Sequence, residues 1–191
     1  MKHSPGQLNH QENDEYYTPP ILVGVILPYV KKNSTIWCPF DTAESEFVIQ
    51  LENEGHTVIH SHIIDGYDFF ELLPPTCDYI ISNPPFSRKN DVFKRLFKMG
   101  IPFAMVMNVQ ILNYHETGDL FKDYDFELLL PTKRISFDGN HTPFLSGYFC
   151  YKMLPKQLKY VEVEHTNIGR HFDPSSMLKN DPQFDNYPKM A

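Results

Sequence analysis

The apolar run Asp78-Tyr79-Ile80-Ile81-Ser82 reads as a buried strand, and Asn83-Pro84-Pro85-Phe86 cuts it off at once. Two consecutive prolines fix the backbone and remove two N–H donors, so regular structure stops there. Nearby carbonyl oxygens then face outward without a competing internal donor. The Asn83 side chain adds an acceptor, and Phe86 adds a flat apolar face. A rigid group of acceptors beside a ring suits a planar ligand that carries an NH2 group.

The rest of the chain alternates strand-like and helix-like segments. Thr18 is placed to N-cap a helix whose first residue is Pro19, with Ile21 to Val30 as its apolar body, interrupted by Pro28. Ser34 to Cys38 reads as a strand. Ala43 to Glu54 carries Phe47, Val48 and Leu51 at helical spacing and stops at Gly55. His56 to Ser61 is a second strand. Asp65 to Leu73 reads as a turn and short helix closed by Pro74-Pro75. After the proline turn, Asn90 to Met99 places Val92, Phe93, Leu96 and Phe97 on one helical face, and Pro102 to Met107 is another strand. A helix around Asn113 to Lys122 follows. Phe126 to Leu130 and Phe144 to Met153 read as the arms of a long hairpin.

Strands alternating with helices imply a mostly parallel sheet, and the two closing strands imply an antiparallel pair. The expected fold is therefore three-layer α/β, over residues 16–155. Residues 1–15 read as a flexible N-terminus. Residues 156–191 read as a polar tail, partly disordered or ordered only against a partner.

The 191 residues suffice for one domain with a substantial core. With 41% hydrophobic residues, among them 15 Phe and 11 Tyr, the chain is not disordered throughout. No apolar run approaches the ~18–20 residues of a membrane span. The start has no apolar h-region, so no signal peptide is expected. Cys38, Cys77 and Cys150 are scattered and form no disulfide framework, which fits a reducing cytoplasm. The net charge of −7 argues against broad phosphate-driven binding but leaves room for a local basic patch at Ser87-Arg88-Lys89-Asn90 and Lys94-Arg95. His60 and His62 share one strand face, but no third or fourth ligand accompanies them, and no metal is expected.

The turn sits at the carboxyl end of an expected parallel strand, where open α/β sheets bind ligands. Adenine is a planar group of the kind its acceptors suit. Here the sequence resembles the S-adenosylmethionine-dependent amino-methyltransferases of the adenine-N6 type, whose motif is Asp/Asn/Ser-Pro-Pro-aromatic. Tyr17-Thr18-Pro19, Cys38-Pro39-Phe40 and Asp68-Phe69-Phe70 match further motifs in the family's order. Lys133-Arg134-Ile135-Ser136-Phe137 with Pro143-Phe144 resembles its loop and closing hairpin. Trp37-Cys38-Pro39-Phe40-Asp41 and Ser82 to Ser87 also resemble small phage-borne adenine-specific methyltransferases.

The resemblance implies a class I, Rossmann-like methyltransferase fold with a mostly parallel seven-stranded sheet and a closing antiparallel hairpin. It implies methyl transfer to adenine N6 in nucleic acid, with DNA expected ahead of RNA. Asn83, Pro84, Pro85 and Phe86 would form the catalytic turn. Tyr17, Thr18, Pro19, Cys38, Pro39, Phe40, Asp41, His62, Asp68 and Phe69 would line the cofactor pocket. Ser87, Arg88, Lys89, Lys133 and Arg134 would meet the nucleic acid, and sequence specificity would need the tail, a partner or a homodimer.

The sequence departs from the family at the first loop. The pattern Asp-Pro-Phe-x-Gly-x-Gly reads Cys38-Pro39-Phe40-Asp41-Thr42-Ala43-Glu44, with neither glycine and with Cys38 in place of the acid. Asp41 and Glu44 are the candidate replacements for that acid. Two other functions stay open: a protein glutamine-amide methyltransferase, which shares the proline motif, and a binding protein that kept the fold and lost transfer.

Overall fold

The computed structural model describes residues 18–135, 137 and 145–163. Seven strands form one sheet: β1 (Thr35–Cys38), β2 (Thr57–His60), β3 (Tyr79–Ser82), β4 (Phe103–Asn108), β5 (Phe126–Pro131), β6 (Ser146–Tyr151) and β7 (Leu158–Val161). Their order is β2-β1-β3-β4-β6-β5-β7. The first four are mutually parallel, β6 runs antiparallel to both β4 and β5, and β7 pairs with β5 in parallel. This is the expected Rossmann-like α/β class with its antiparallel hairpin.

Alternation along the strands sorts the core into two layers. Ile36, Cys38, Tyr79, Ile81, Ala104, Val106 and Tyr148 pack against α1 (Pro20–Ile26) and α2 (Glu46–Asn53). Trp37, Ile80, Phe103, Met105, Met107 and Phe149 pack against α3 (Lys89–Met99) and Phe121 of α4 (His115–Phe121). The β2–β3 connection lies with this second layer, through Phe69, Phe70 and Leu72.

Several expectations need correction. The N-cap of α1 is Pro19, with Pro20 at the first helical position, so Thr18 stands one residue too early. The helix narrows to a 3-10 turn at Leu27–Tyr29, where Pro28 cannot donate to the α-helical ladder. α2 starts at Glu46 because Ser45 is the cap, its Oγ accepting from the Phe47 N–H at 3.2 Å. Asp65 to Leu73 contains turns and only the end of a 3-10 turn (Ile63–Asp65), not a helix. The sheet also continues past residue 155. Leu158–Val161, expected in the tail, forms the edge strand β7. Glu127 of β5 directs the chain there, its Oε2 accepting from the N–H groups of Met153 (3.0 Å) and Leu154 (2.7 Å). No helix among the described residues is long and apolar enough to cross a membrane.

The hairpin is tightest at Gly147. A Cβ built there would lie 2.6 Å from Leu130 Cδ2 and 3.1 Å from the Leu129 carbonyl oxygen. Gly147→Ala should therefore lower unfolding stability by about 1–3 kcal/mol, the usual cost of overpacking. Chemical denaturation checks this, and an unchanged midpoint would show that the Leu130 side chain yields freely.

Candidate functional site

The chain runs from β1 through α2 to β2 on one side, then crosses back to place β3 on the other side of β1. At such a reversal the carboxyl ends of the two strands open a crevice, the usual ligand position in doubly wound sheets. Pro39-Phe40-Asp41 leaves β1 there, and Asn83-Pro84-Pro85-Phe86 leaves β3 beside it. Pro84 is buried, while Asn83, Pro85 and Phe86 are half-buried. Pro85 is extended (φ −61°, ψ 125°) and leads into a 3-10 turn, Phe86–Arg88, that feeds α3.

Asp41 ties the two strand ends together. Its carboxylate accepts from the Ser45 hydroxyl at 2.5 Å and from the Ser82 hydroxyl, the residue just before Asn83. Its backbone N–H donates to the Ser61 carbonyl at 3.2 Å, and the Ser61 N–H donates to the Cys38 carbonyl at 3.1 Å. The Ser61 hydroxyl accepts from the Trp37 indole at 3.1 Å. The buried Asp41 carboxylate thus joins the end of β3 and the start of α2 to the β1 loop, and the Asp41 backbone adds the end of β2. Burial pushes its pKa up from 3.8 to about 6, against the two hydroxyl hydrogen bonds and the fields of His62 and His60.

This arrangement explains how the loop forms without glycine. Between Cys38 and Ser45 no residue has a positive φ. The Ser45 N–H closes a turn on the Thr42 carbonyl at 3.1 Å, within reach of ordinary residues. The geometry that glycine would allow is not used here.

The loop after β2 forms the opposite wall. Phe40 lies 4.7 Å from Phe69 between ring centroids, and Phe69 lies 5.6 Å from Trp37 and 5.2 Å from Phe70. Asp68 stabilises this turn by accepting from the Phe70 N–H at 2.8 Å. His62 caps the preceding turn, its Nδ1 accepting from the Ile64 N–H at 3.2 Å. Arg95 of α3 lies 5.2 Å over Phe69 and donates to the Leu72 carbonyl, fastening the loop to the helix.

The structure therefore places Asn83, Pro84, Pro85, Phe86, Phe40, Asp41, His62, Asp68 and Phe69 on the loops that leave the carboxyl ends of β1, β2 and β3. Phe69 is buried, which makes it a support for Phe40 rather than an open stacking face. Pro39 and Cys38 are also buried. Cys38 points into the α1–α2 layer, and burial drives its thiol pKa well up, so it does not stand in for an acidic ligand. Thr18 and Pro19 lie at the start of α1, which Gln50 of α2 holds through the Pro20 carbonyl at 3.0 Å. Tyr17, Ser136 and Pro143-Phe144 lie outside the described residues. Ser87 and Arg88 are exposed in the 3-10 turn, and Lys89, the first residue of α3, is half-buried.

Lys133 and Arg134 are exposed just after β5. Because β5 runs parallel to β3, they emerge at the same sheet edge, three strand spacings or ~14 Å away. Sequence reading places Ser82 and Phe70 in motifs and Arg95 in a basic patch without seeing what they hold together, and misses Ser45 and Ser61. Their hydroxyls, ring and guanidinium matter only through contacts across the fold. Among the described residues no three His, Cys, Asp or Glu side chains gather as a metal site.

No family model and no curated protein matches the chain in sequence. Solved structures resemble it at low identity. The type I restriction-modification methyltransferase subunit of Streptococcus thermophilus aligns at 12% identity and TM-score 0.45, over 78% of this chain and 47% of its own length. A Listeria monocytogenes protein described as a class I S-adenosylmethionine-dependent methyltransferase aligns at 13% and 0.48, over 80% and 67%. An Agrobacterium tumefaciens protein described as an O-methyltransferase aligns at 10% and 0.42, over 83% and 93%. The chain thus spans about half of the restriction-modification subunit.

The Asp41 proton has a measurable consequence. Between about pH 4 and 6 the folded chain holds a proton that the unfolded chain has released, so stability falls as pH rises through that window. The rise from 3.8 to about 6 corresponds to a loss of about 3 kcal/mol, complete above the window. Asp41→Asn removes this component while its amide still offers an acceptor and a donor to the two hydroxyls. Denaturation of both proteins from about pH 4 to 7 should show a flatter profile for the variant. Parallel profiles would mean Asp41 is ionised throughout.

Proposed function

We propose that this chain transfers a methyl group from S-adenosylmethionine to the N6 amino group of adenine in nucleic acid, DNA ahead of RNA. The observation that carries the reading is the placement of the Asn83-Pro84-Pro85-Phe86 turn beside the Phe40-Asp41 loop at the β1/β3 reversal, locked there by the Asp41–Ser82 hydrogen bond. A cofactor crevice and an acceptor for an amino group are thereby adjacent.

The crevice residues fit the cofactor in chemical type. The half-buried Phe40, backed by Phe69, offers an apolar wall to a nucleoside, with Asp68 and His62 as polar neighbours. When bound, the cofactor supplies an electrophilic methyl group on a sulfonium. On the substrate side, the Asn83 side-chain oxygen and the Pro84 carbonyl oxygen accept the amino hydrogens. This draws density toward nitrogen and aims its lone pair at the crevice. Phe86 stacks on the base. Pro84 and Pro85 keep these acceptors fixed, so little reorganisation accompanies the reaction. A base in a duplex must first be flipped out. Arg88, Lys89, Lys133 and Arg134 then have phosphates within reach of the same sheet edge.

One observation favours a second reading, a binding protein of this fold without transfer. Both Asp41 oxygens are engaged internally, and Cys38 faces away, so no acidic side chain of the first loop up to Asp41 is turned to the ligand.

Calorimetric titration with S-adenosylmethionine and with its demethylated product, followed by transfer of labelled methyl to DNA, RNA and a cell protein extract, separates the readings. Micromolar binding and labelled adenine are expected. Asn83→Ala should lower transfer by about 10²-fold or more while cofactor affinity stays within a few-fold. Label on protein amides would favour the glutamine reading. Binding without any transfer would favour the second reading, and no binding at millimolar ligand would overturn the enzyme.

A further inference from the structure

Arg88 and Lys89 are consecutive, and each cation rests on a different aromatic ring. The Arg88 guanidinium lies 3.6 Å over the Phe70 centroid, and the Lys89 ammonium lies 5.6 Å over that of Tyr114. Phe70 belongs to the β2–β3 loop and Tyr114 to the segment after β4. The sheet order places β1 on one side of β3 and β4 on the other. The two rings therefore come from loops on opposite sides of β3, whose turn Asn83–Phe86 leads into Arg88 and Lys89.

Both pairs are open and held in place. Tyr114 is 50% exposed. Its position is fixed relative to α3, because Asn90 accepts from the Thr117 hydroxyl at 3.1 Å and donates to Glu116 at 2.7 Å. The Arg88 side chain is 49% exposed, and its ion pair with Asp91 is long at 3.7 Å. Such an exposed pair contributes little and leaves the guanidinium available to another anion.

A preorganised open ring with a cation beside it is what an unpaired nucleic-acid strand uses: the ring stacks on a base and the cation meets the backbone. We infer that Tyr114 stacks on a base flanking the target, that Arg88, held over Phe70, meets a phosphate on the other side of the turn, and that the substrate therefore enters as an unpaired strand. This rests on the nucleic-acid reading above and adds the form of the substrate and two contacts. A paired flanking base would keep its faces in the helical stack, out of reach of Tyr114.

The test is fluorescence anisotropy of labelled adenine-containing oligonucleotides over a range of salt, as single-stranded DNA, single-stranded RNA and duplex DNA, with methyl acceptance measured on the same oligonucleotides. Wild type should bind single strands more tightly than duplex. Tyr114→Ala should weaken single-strand binding by about tenfold or more with an unchanged salt slope, and Tyr114→Phe should restore it. Arg88→Gln should instead reduce the salt slope by about 0.7, one single-strand phosphate. Because Tyr114 is exposed, its variants fold, which thermal melting verifies. Wild-type binding and methylation with a neutral Tyr114→Ala, or equal affinity for duplex, overturns the inference alone. A wild type that binds S-adenosylmethionine but neither binds nor methylates any oligonucleotide overturns the nucleic-acid reading with it.

Discussion

Asp41, through its carboxylate and its backbone N–H, is the residue through which the ends of three strands share one geometry. It reaches Ser82 across the β1/β3 gap and Ser45 at the start of α2, while its own backbone is bonded to the Ser61 carbonyl beyond β2. A buried carboxylate is costly unless hydrogen bonds compensate it. Here compensation is incomplete, because burial still lifts the group to about 6 despite two hydroxyl donors and nearby imidazoles. The fold tolerates that cost at the place where the proline turn must be held in register with the β1 loop. An apolar residue at 41 would relieve the burial penalty and leave the two hydroxyls without their common acceptor.

The face of the sheet opposite α1 and α2 supplies stiffness of a different kind. Phe93 of α3 meets Phe121 at 4.9 Å and Phe149 at 5.7 Å, and Phe97 meets Phe103 at 5.3 Å and Tyr124 at 3.9 Å. Edge-to-face and stacked pairs of this sort add specific geometry to simple burial. They fix α3 against β4, β6 and α4, so the turn that begins α3 and carries Arg88 and Lys89 is anchored from below. Arg95 extends the same anchoring to the β2–β3 loop. The aromatic richness of the composition is thus concentrated in the layer beneath the proposed substrate side.

What could be read in the sequence was whatever depends on neighbours along the chain. The period of Val92, Phe93, Leu96 and Phe97 defines α3 nearly to its ends, and the abrupt stop after Ser82 locates β3 and its turn. Strand β7 was invisible because it is a four-residue edge strand in polar sequence, with Leu158 and Tyr160 left 47% and 60% exposed. It pairs with β5, and the Glu127 carboxylate of that strand holds the Met153 and Leu154 N–H groups ahead of it. The same limit applies within the site. Nothing in the spacing relates Asp41 to Ser82, 41 residues on. Strand alternation divides Trp37 from Cys38, but which face holds the pocket is decided by where α2 and the β2–β3 loop pack. The missing glycines likewise predict a defect only if the loop needs a left-handed residue, and this loop is built without one.

That last point bears on the tension between the two readings of the site. The inward turn of Asp41 removes a direct acidic contact from the first loop, yet it does not remove the charge. With a pKa of about 6, the group is mostly ionised at neutral pH. A buried charge in a medium of low effective dielectric acts over several ångströms without touching its partner. On the proposed reading, a negative potential at the β1/β3 crevice would favour the sulfonium and ammonium of the cofactor and oppose its carboxylate, whether or not a protein carboxylate oxygen contacts it. The same carboxylate can then hold Ser82, and through it the position of Asn83, while setting the potential that a cationic ligand meets. On that reading, positioning and attraction, which a glycine-rich loop with an outward acid would divide between two groups, would fall on one.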